Sequence, residues 1–196
     1  MEFLGFKAGR GQRRVGGPAP PGILLACLLC LGTAAANAQS AREAQVKAAF
    51  LYNFAQFTEW PQEAFAQPDS PLVIGILGED PFGEALDTTI RGEAVRGHKL
   101  QLKRFRAVAE LPTCHIVYIG RSEANRLSQV LKALNGKPIL TVSDLDGSAE
   151  RGVTIQFVTE HGRVRFRINP KTAEIAKLAL SSKLLRVAEI VGSEKK

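Results

Sequence analysis

Leu72-Val-Ile-Gly-Ile-Leu77 is the stretch from which the fold can be worked out. A short, continuous apolar run of this kind is typical of a strand buried on both faces of a sheet. Further strands are predicted at Leu100–Phe105, at Cys114–Ile119 (CHIVYI) and at Ile139–Val142. Because helical segments separate these strands, the sequence predicts parallel pairing.

The predicted helices of this region begin at capping residues. One begins at Asp80-Pro81, with Asp80 as the N-cap, and another runs from Ser122 to Leu134. Asn169-Pro170 is predicted to cap a helix that continues to about Ala179. A last helix is predicted to carry four apolar residues: Leu184, Leu185, Ala188 and Val191.

The pattern changes near the C-terminus. Apolar and polar residues alternate over Val153–Val158 and again over Arg163–Ile168, with His161-Gly162 between them. Alternation with a glycine turn predicts an antiparallel hairpin with one solvated face. The predicted fold class is therefore α/β: a three-layer sandwich, mostly a parallel sheet with a C-terminal antiparallel hairpin and helices on both faces.

Three arginines of this hairpin share one strand face, and they are Arg163, Arg165 and Arg167. Alternate residues of a strand lie about 7 Å apart, which makes these side chains a row of positive charge. The row is either an ordinary solvated face or a docking strip for an acidic partner or an anionic ligand.

Residues 41–57 are predicted to form an amphipathic helix. Five residues at three- and four-residue spacing are expected on one face: Val46, Phe50, Asn53, Phe54 and Phe57. An aromatic stripe of this kind usually belongs to the core. Phe50 and Phe54 are kept, beside the three arginines, as candidates for contact with a partner.

Residues 1–38 have the pattern of a secretory signal peptide. Four basic side chains precede a short apolar run, Ile23–Leu31, and Ala36-Asn37-Ala38 fits a cleavage site. The run is shorter than the roughly 20 residues that a membrane span needs. We expect cleavage after Ala38, export to the periplasm, and a single domain of residues 39–196 that does not itself span the membrane.

Cleavage would lower the net charge from +7 to +4, which is no signature of nucleic-acid binding. It would also leave Cys114 as the only cysteine. That thiol is expected either to be buried or to bridge two copies of the protein in a homodimer.

Catalytic and metal chemistry have little support in the sequence. Glu79, Asp80, Asp144 and Asp146 follow predicted strands, where carboxylates could hold Mg²⁺, although helix caps and turns explain the same residues. Cys114 and His115 are neighbours on a strand and therefore point to opposite faces. The sequence predicts neither a catalytic centre nor a cofactor.

The chain resembles the YfiR-like family of periplasmic bacterial proteins. The similarity lies in motifs that occur in order along the mature chain: Gln45–Phe50 (QVKAAF), Asn53-Phe54, Glu59-Trp60-Pro61, Gly78–Gly83 (GEDPFG), Cys114-His115-Ile116, Leu140-Thr141-Val142 with Asp144, Phe166-x-Ile168-Asn169, and Leu180–Leu185 (LSSKLL).

The resemblance implies a regulator without enzymatic activity. The type member binds the periplasmic part of an inner-membrane diguanylate cyclase and represses it, which lowers cyclic-di-GMP and affects biofilm formation and motility. Cysteine pairing is thought to tune the type member, whereas Cys114 alone could form no disulfide within one subunit. The segment Gly147–Val153 also departs from the glycine pattern common in the family.

Two functional hypotheses follow. The first is a periplasmic regulator that represses an inner-membrane signalling protein by binding it. The alternative is a periplasmic sensor domain that binds a small ligand in the crevice beyond the carboxyl ends of the parallel strands.

Overall fold

The computed structural model describes residues 21–192, and it describes side chains from residue 38 onward, apart from that of Pro112. The chain divides between Ala38 and Gln39 into two units, and the account below concerns the second. The predicted signal peptide falls on the first unit, whose residues 1–20 lie outside the described part, so it stays a prediction. Within residues 21–192, no helix combines the length and hydropathy of a membrane span.

A mixed sheet of eight strands forms the middle layer. The strands are β2 (Leu72–Leu77), β3 (Ala94–Val95), β4 (His98–Phe105), β5 (Ile116–Ile119), β6 (Leu140–Ser143), β7 (Ile155–Glu160), β8 (Arg163–Ile168) and β10 (Glu189–Ile190). Their spatial order is β10-β8-β7-β6-β5-β2-β4-β3. Neighbours are parallel from β4 through β2, β5 and β6 to β7, whereas β7 and β8 form an antiparallel hairpin. A separate antiparallel pair joins β1 (Thr58–Glu59) to β9 (Ala179–Leu180).

Helices cover both faces of this sheet, as the sequence predicted. They are α1 (Pro21–Phe57), α2 (Glu84–Ile90), α3 (Leu127–Leu134), α4 (Pro170–Ile175) and α5 (Ser182–Val187). Alternate residues of β2 point into separate clusters: Ile74 packs with side chains of α1, α2 and α4, whereas Val73 packs with those of α3. The predicted three-layer α/β sandwich is confirmed.

Two predicted helix starts are wrong. Asp80 does not cap α2: its carboxylate accepts a hydrogen bond from the Phe82 amide in a tight turn, and α2 begins at Glu84. Ser122 does not cap α3 either, because its hydroxyl accepts from the Glu79 amide across the end of the sheet. In both cases the side chain bonds to the amide of a loop residue, although its position in the sequence predicts a helix cap.

The end of the chain is also more broken than predicted. Asn169 does cap α4, accepting a hydrogen bond from the Thr172 amide. However, α4 ends at Ile175, two residues before Lys177, whose φ is +56°. The last predicted helix ends at Val187, after which Glu189–Ile190 returns to the sheet as β10, parallel to β8.

The buried face of α1 is rotated from the predicted one. Val46 is 38% exposed, whereas Lys47, Ala48 and Leu51 are buried. The prediction placed Val46 inside because it is apolar and in phase with the aromatic residues. The structure buries Lys47 in its place, because this lysine pairs with a carboxylate at the end of the sheet.

Candidate functional site: the arginine surface of the hairpin

The β7–β8 hairpin is anchored by one of its faces. Val164, Phe166 and Ile168 of β8 belong to the cluster that packs beneath α1. The Phe166 ring lies 5.1 Å from that of Phe54 and 5.2 Å from that of Phe50, both edge-on. The arginines of β8 alternate with these residues and therefore project from the opposite face of the sheet.

Arg163, Arg165 and Arg167, called here the arginine surface, differ in their partners. Arg167 is half-buried, and its guanidinium lies 3.0 Å from a carboxylate oxygen of Glu189 in β10 and 3.8 Å from one of Glu150. Arg163 and Arg165 are exposed, and neither forms an ion pair with any of the described residues. Their positive charge is therefore available to something outside the fold.

The register of the hairpin singles out Arg165. Arg163 lies opposite Glu160 of β7, so a carboxylate shares its position on the strand face. Arg165 lies opposite Val158, which is apolar. Arg165 is therefore the arginine with the least electrostatic compensation from the neighbouring strand.

The two aromatic candidates lie beneath the hairpin and contribute little to the surface. Phe54 has no exposed area, and its ring stacks 5.6 Å from that of Phe157. Phe50 is half-buried and stacks on Phe54 at 6.1 Å. Both hold α1 onto the hairpin, and both are less exposed than Arg163 and Arg165.

The carboxyl end of the parallel strands is occupied by the protein's own ion pairs. Asp144, which follows β6, accepts a hydrogen bond from Lys47 Nζ at 2.9 Å, and Arg121 Nε lies 3.3 Å from the same oxygen. Lys47 also lies 2.7 Å from Glu43. Burial opposes the ionisation of Asp144, but Lys47, with Tyr118 and Arg121, holds its pKa below the usual range.

The other acids of this edge have their own roles. Arg104 joins the carboxylates of Asp80 and Asp87, and this pairing lowers the pKa of Asp87. Among residues 38–192, no three His, Cys, Asp or Glu side chains are grouped as metal ligands. Asp80, Asp87 and Asp144 therefore pair with cations of the fold.

Cys114 and His115 point to opposite faces of the sheet, as predicted. Cys114 is 4% exposed in the cluster beneath α3, and burial raises its pKa to about 11. His115 accepts a hydrogen bond from the Val73 amide at Nδ1, and its Nε2 lies 3.1 Å from the Ala64 carbonyl. Since Cys114 lies inside the domain, its bridging of two copies would require local opening of the fold.

A groove of about 340 Å³ lies at the opposite end of the sheet, between α3 and α4. Leu131, Leu134 and Ile139 line it, together with Ile175, which is 50% exposed. Its charged lining residues are all basic: Lys132, Lys137 and Arg151. This is an apolar depression with a positive rim, and it lies away from the crevice that the sequence had suggested for a ligand.

Sequence reasoning missed Lys47 and Glu189. Lys47 lies four residues after Glu43 and in phase with Leu51 and Phe54, so a helical plot shows it on the buried face. That plot could not identify its partner, because Asp144 lies 97 residues away. Glu189 was hidden by the predicted helix, and its contact with Arg167 depends on β10 joining the sheet.

The protein is an α/β sandwich domain. Its distinctive feature is a charged surface, formed by the unpaired arginines of the anchored hairpin. Residues 44–189 match the model of the YfiR/HmsC-like family, and the chain belongs to that family. It is a family of periplasmic regulatory proteins connected with cyclic-di-GMP signalling. No curated protein matches the chain.

Proposed function

We propose that this protein is exported by its N-terminal signal peptide and represses an inner-membrane diguanylate cyclase by binding the cyclase's periplasmic part. The arginine surface is the docking site. The observation that carries the proposal concerns Arg163 and Arg165. Both side chains are exposed, and neither forms an ion pair with a described residue, while the other face of their hairpin packs against the core. Membership of the YfiR/HmsC-like family supports the proposed role in cyclic-di-GMP signalling.

Repression requires a difference in affinity between two states of the partner. A regulator that binds the inactive cyclase better than the active one shifts the population toward the inactive state. A shift from 1:99 to 99:1 takes about 5.5 kcal/mol of differential binding free energy. A rigid strand face suits this role, because binding then costs little ordering of the regulator itself.

The test is a cellular measurement with a charge-reversal variant. In a strain from which the gene is deleted, the wild-type gene should lower cyclic-di-GMP, measured by mass spectrometry of extracts. Arg165→Glu should fail to lower it, because the substitution places a like charge against an acidic partner. Lys99→Glu is the matched control, since Lys99 is an exposed cation of β4 near the opposite edge of the sheet and should repress normally.

Immunoblots of periplasmic fractions must show equal amounts of the three proteins. A deletion that leaves cyclic-di-GMP unchanged, with no change on complementation, would contradict the proposed function. Equal repression by Arg165→Glu and the wild type would leave the regulatory role standing but remove the arginine surface from it.

The groove between α3 and α4 favours a second candidate function, a sensor for a small ligand. Its volume lies within the range of small-molecule sites, and its basic rim suits an anionic compound with an apolar portion. A thermal-shift screen of periplasmic metabolites would test this function. A rise in melting temperature that Lys137→Glu abolishes, together with no effect of the gene on cyclic-di-GMP, would favour the sensor.

A further inference from the structure

The groove between α3 and α4 lies where the strands β6 and β7 separate. The two strands pair only over residues 142–143 of β6 and 155–156 of β7. At the preceding position, the Thr154 amide donates a hydrogen bond of 2.9 Å to the Thr141 hydroxyl instead of to a backbone carbonyl. Both threonines line the groove, so the separation of the strands places two hydroxyl groups beside it.

These two hydroxyl groups have one hydrogen that the fold leaves without an acceptor. Thr141 Oγ1 lies 3.1 Å from Thr154 Oγ1, and one of the two hydroxyls donates to the other. Each hydroxyl has a single hydrogen. Whichever hydroxyl donates, the hydrogen of the other therefore has no acceptor among the described residues. Since Thr141 and Thr154 are 6% and 2% exposed, an oxygen atom bound in the groove would satisfy a donor that is otherwise buried.

The charge of the groove is positive and uncompensated. Its charged lining residues are Lys132, Lys137 and Arg151, and no Asp or Glu is among the residues that line it. None of the three cations forms an ion pair with a described residue. Lys137 is also half-buried. A concave site lined by one sign of charge attracts a ligand of the opposite sign.

The apolar part of the lining is large enough for a hydrocarbon group. Ile175 is 50% exposed, although it is a large hydrophobic residue at the end of α4, and Leu131 of α3 is half-buried. A cavity of about 150 Å³ is known to hold benzene. The groove has a volume of about 340 Å³. It can therefore take an apolar group of about six to ten carbon atoms together with a small charged group.

We infer that the groove binds a small monocarboxylate with an apolar chain of about six to ten carbon atoms. One carboxylate oxygen accepts the remaining hydrogen of the threonine pair, and the other pairs with Lys137, because a carboxylate has two oxygens that accept hydrogen bonds. The chain covers Leu131 and Ile175. This inference rests on the second candidate function, the sensor, and names the class of its ligand.

The probe for a direct test is sodium octanoate, titrated into the purified, isotope-labelled protein and followed by nuclear magnetic resonance. We expect chemical-shift changes at the methyl groups of Leu131 and Ile175 and at the Thr154 amide. Octan-1-ol keeps the chain without the charge, and acetate keeps the charge without the chain. Each should bind at least about tenfold more weakly than octanoate. Equal affinity for octanol and octanoate would overturn the inference.

Variants of the protein test the two contacts of the carboxylate. Lys137→Gln should weaken the binding of octanoate by about tenfold and leave that of octanol unchanged. Lys99→Gln is the matched control, since Lys99 is an exposed lysine of β4 that does not line the groove. The double variant Thr141→Val/Thr154→Val removes both hydroxyls and should weaken octanoate by about tenfold. If the double variant does not fold, Lys137→Gln and the three ligands still decide the question.

The outcomes separate the ligand site from repression. Octanoate binding that Lys137→Gln leaves unchanged, or that causes no shifts in the groove, would overturn the inference. It would also be overturned by a groove that does not bind octanoate but is protected from hydrogen exchange by the periplasmic part of the cyclase. Binding in the groove by a protein that has no effect on cyclic-di-GMP would support the ligand site and reject repression. Repression by a protein that binds no octanoate would reject the ligand site alone.

Discussion

Lys47 Nζ lies 2.9 Å from Oδ2 of Asp144, which is 97 residues further along the chain, and the two side chains are 5% and 6% exposed. This ion pair fixes α1 to the carboxyl end of β6. The same helix carries the aromatic rings beneath the hairpin. The pair therefore contributes to the position of the arginine surface without being part of it.

Lys47→Met should destabilise the protein by about 3–5 kcal/mol, because it leaves the carboxylate of Asp144 buried without its closest cation. Urea denaturation followed by circular dichroism gives the free energy of unfolding. Glu43→Gln is the matched control, since Glu43 is 28% exposed and its pair with Lys47 is worth at most about 1 kcal/mol. The double variant Lys47→Met/Asp144→Leu should recover much of the loss, and a double variant less stable than the single one would contradict this account.

Stability should fall as the pH drops from about 6.5 to 4, because of His115. Burial lowers the pKa of this imidazole to about 4, and its Nδ1 accepts a hydrogen bond that a protonated ring could not accept. In the unfolded chain the pKa is about 6.5, so the unfolded state binds the proton first and is favoured as the pH decreases. The loss should approach about 3 kcal/mol near pH 4.

The measurement for His115 is the urea midpoint as a function of pH. The variant His115→Gln does not titrate in this range, so its midpoint should vary less between pH 6.5 and 4 than that of the wild type. Parallel curves for the two proteins would assign the pH dependence to other groups.

Cys114 should react with a thiol reagent only when the fold opens. Its 4% exposure and its pKa of about 11 leave little accessible thiolate at neutral pH. The release of chromophore from Ellman's reagent should be slow for the native protein and fast in urea. Rapid labelling without denaturant, or a reducible dimer on non-reducing gels, would instead support a thiol bridge between copies.

Gly75→Ala should destabilise the protein by about 1–3 kcal/mol, the usual cost of overpacking a core. A methyl group there would lie 2.7 Å from the Cys114 sulfur and 3.1 Å from the Phe105 ring. Thermal unfolding would detect the loss. Adding Cys114→Ala to Gly75→Ala removes the sulfur atom that the new methyl group would contact. The double variant should therefore be more stable than the sum of the two single changes predicts. Strict additivity would mean that the contact is relieved elsewhere.

Much of the fold could be read locally because the deciding signals are short. Leu72–Leu77 is a strand over the predicted residues, and the hairpin turns at His161-Gly162 as expected. Both rest on patterns of two to six neighbouring residues. The helix starts at Asp80 and Ser122 were wrong because their oxygens bond to loop amides, one of them 43 residues away.

The sequence by itself determined the α/β class, the alternation that puts three arginines on one strand face, and a leader-like N-terminus. Only the tertiary structure decided which of those arginines stay free, because the contact of Arg167 with Glu189 requires β10 to return to the sheet. It also decided that Asp144 is the carboxylate that pairs with the buried Lys47. Periodicity specifies which residues share a face, whereas the partner of a charge depends on segments far apart in the chain.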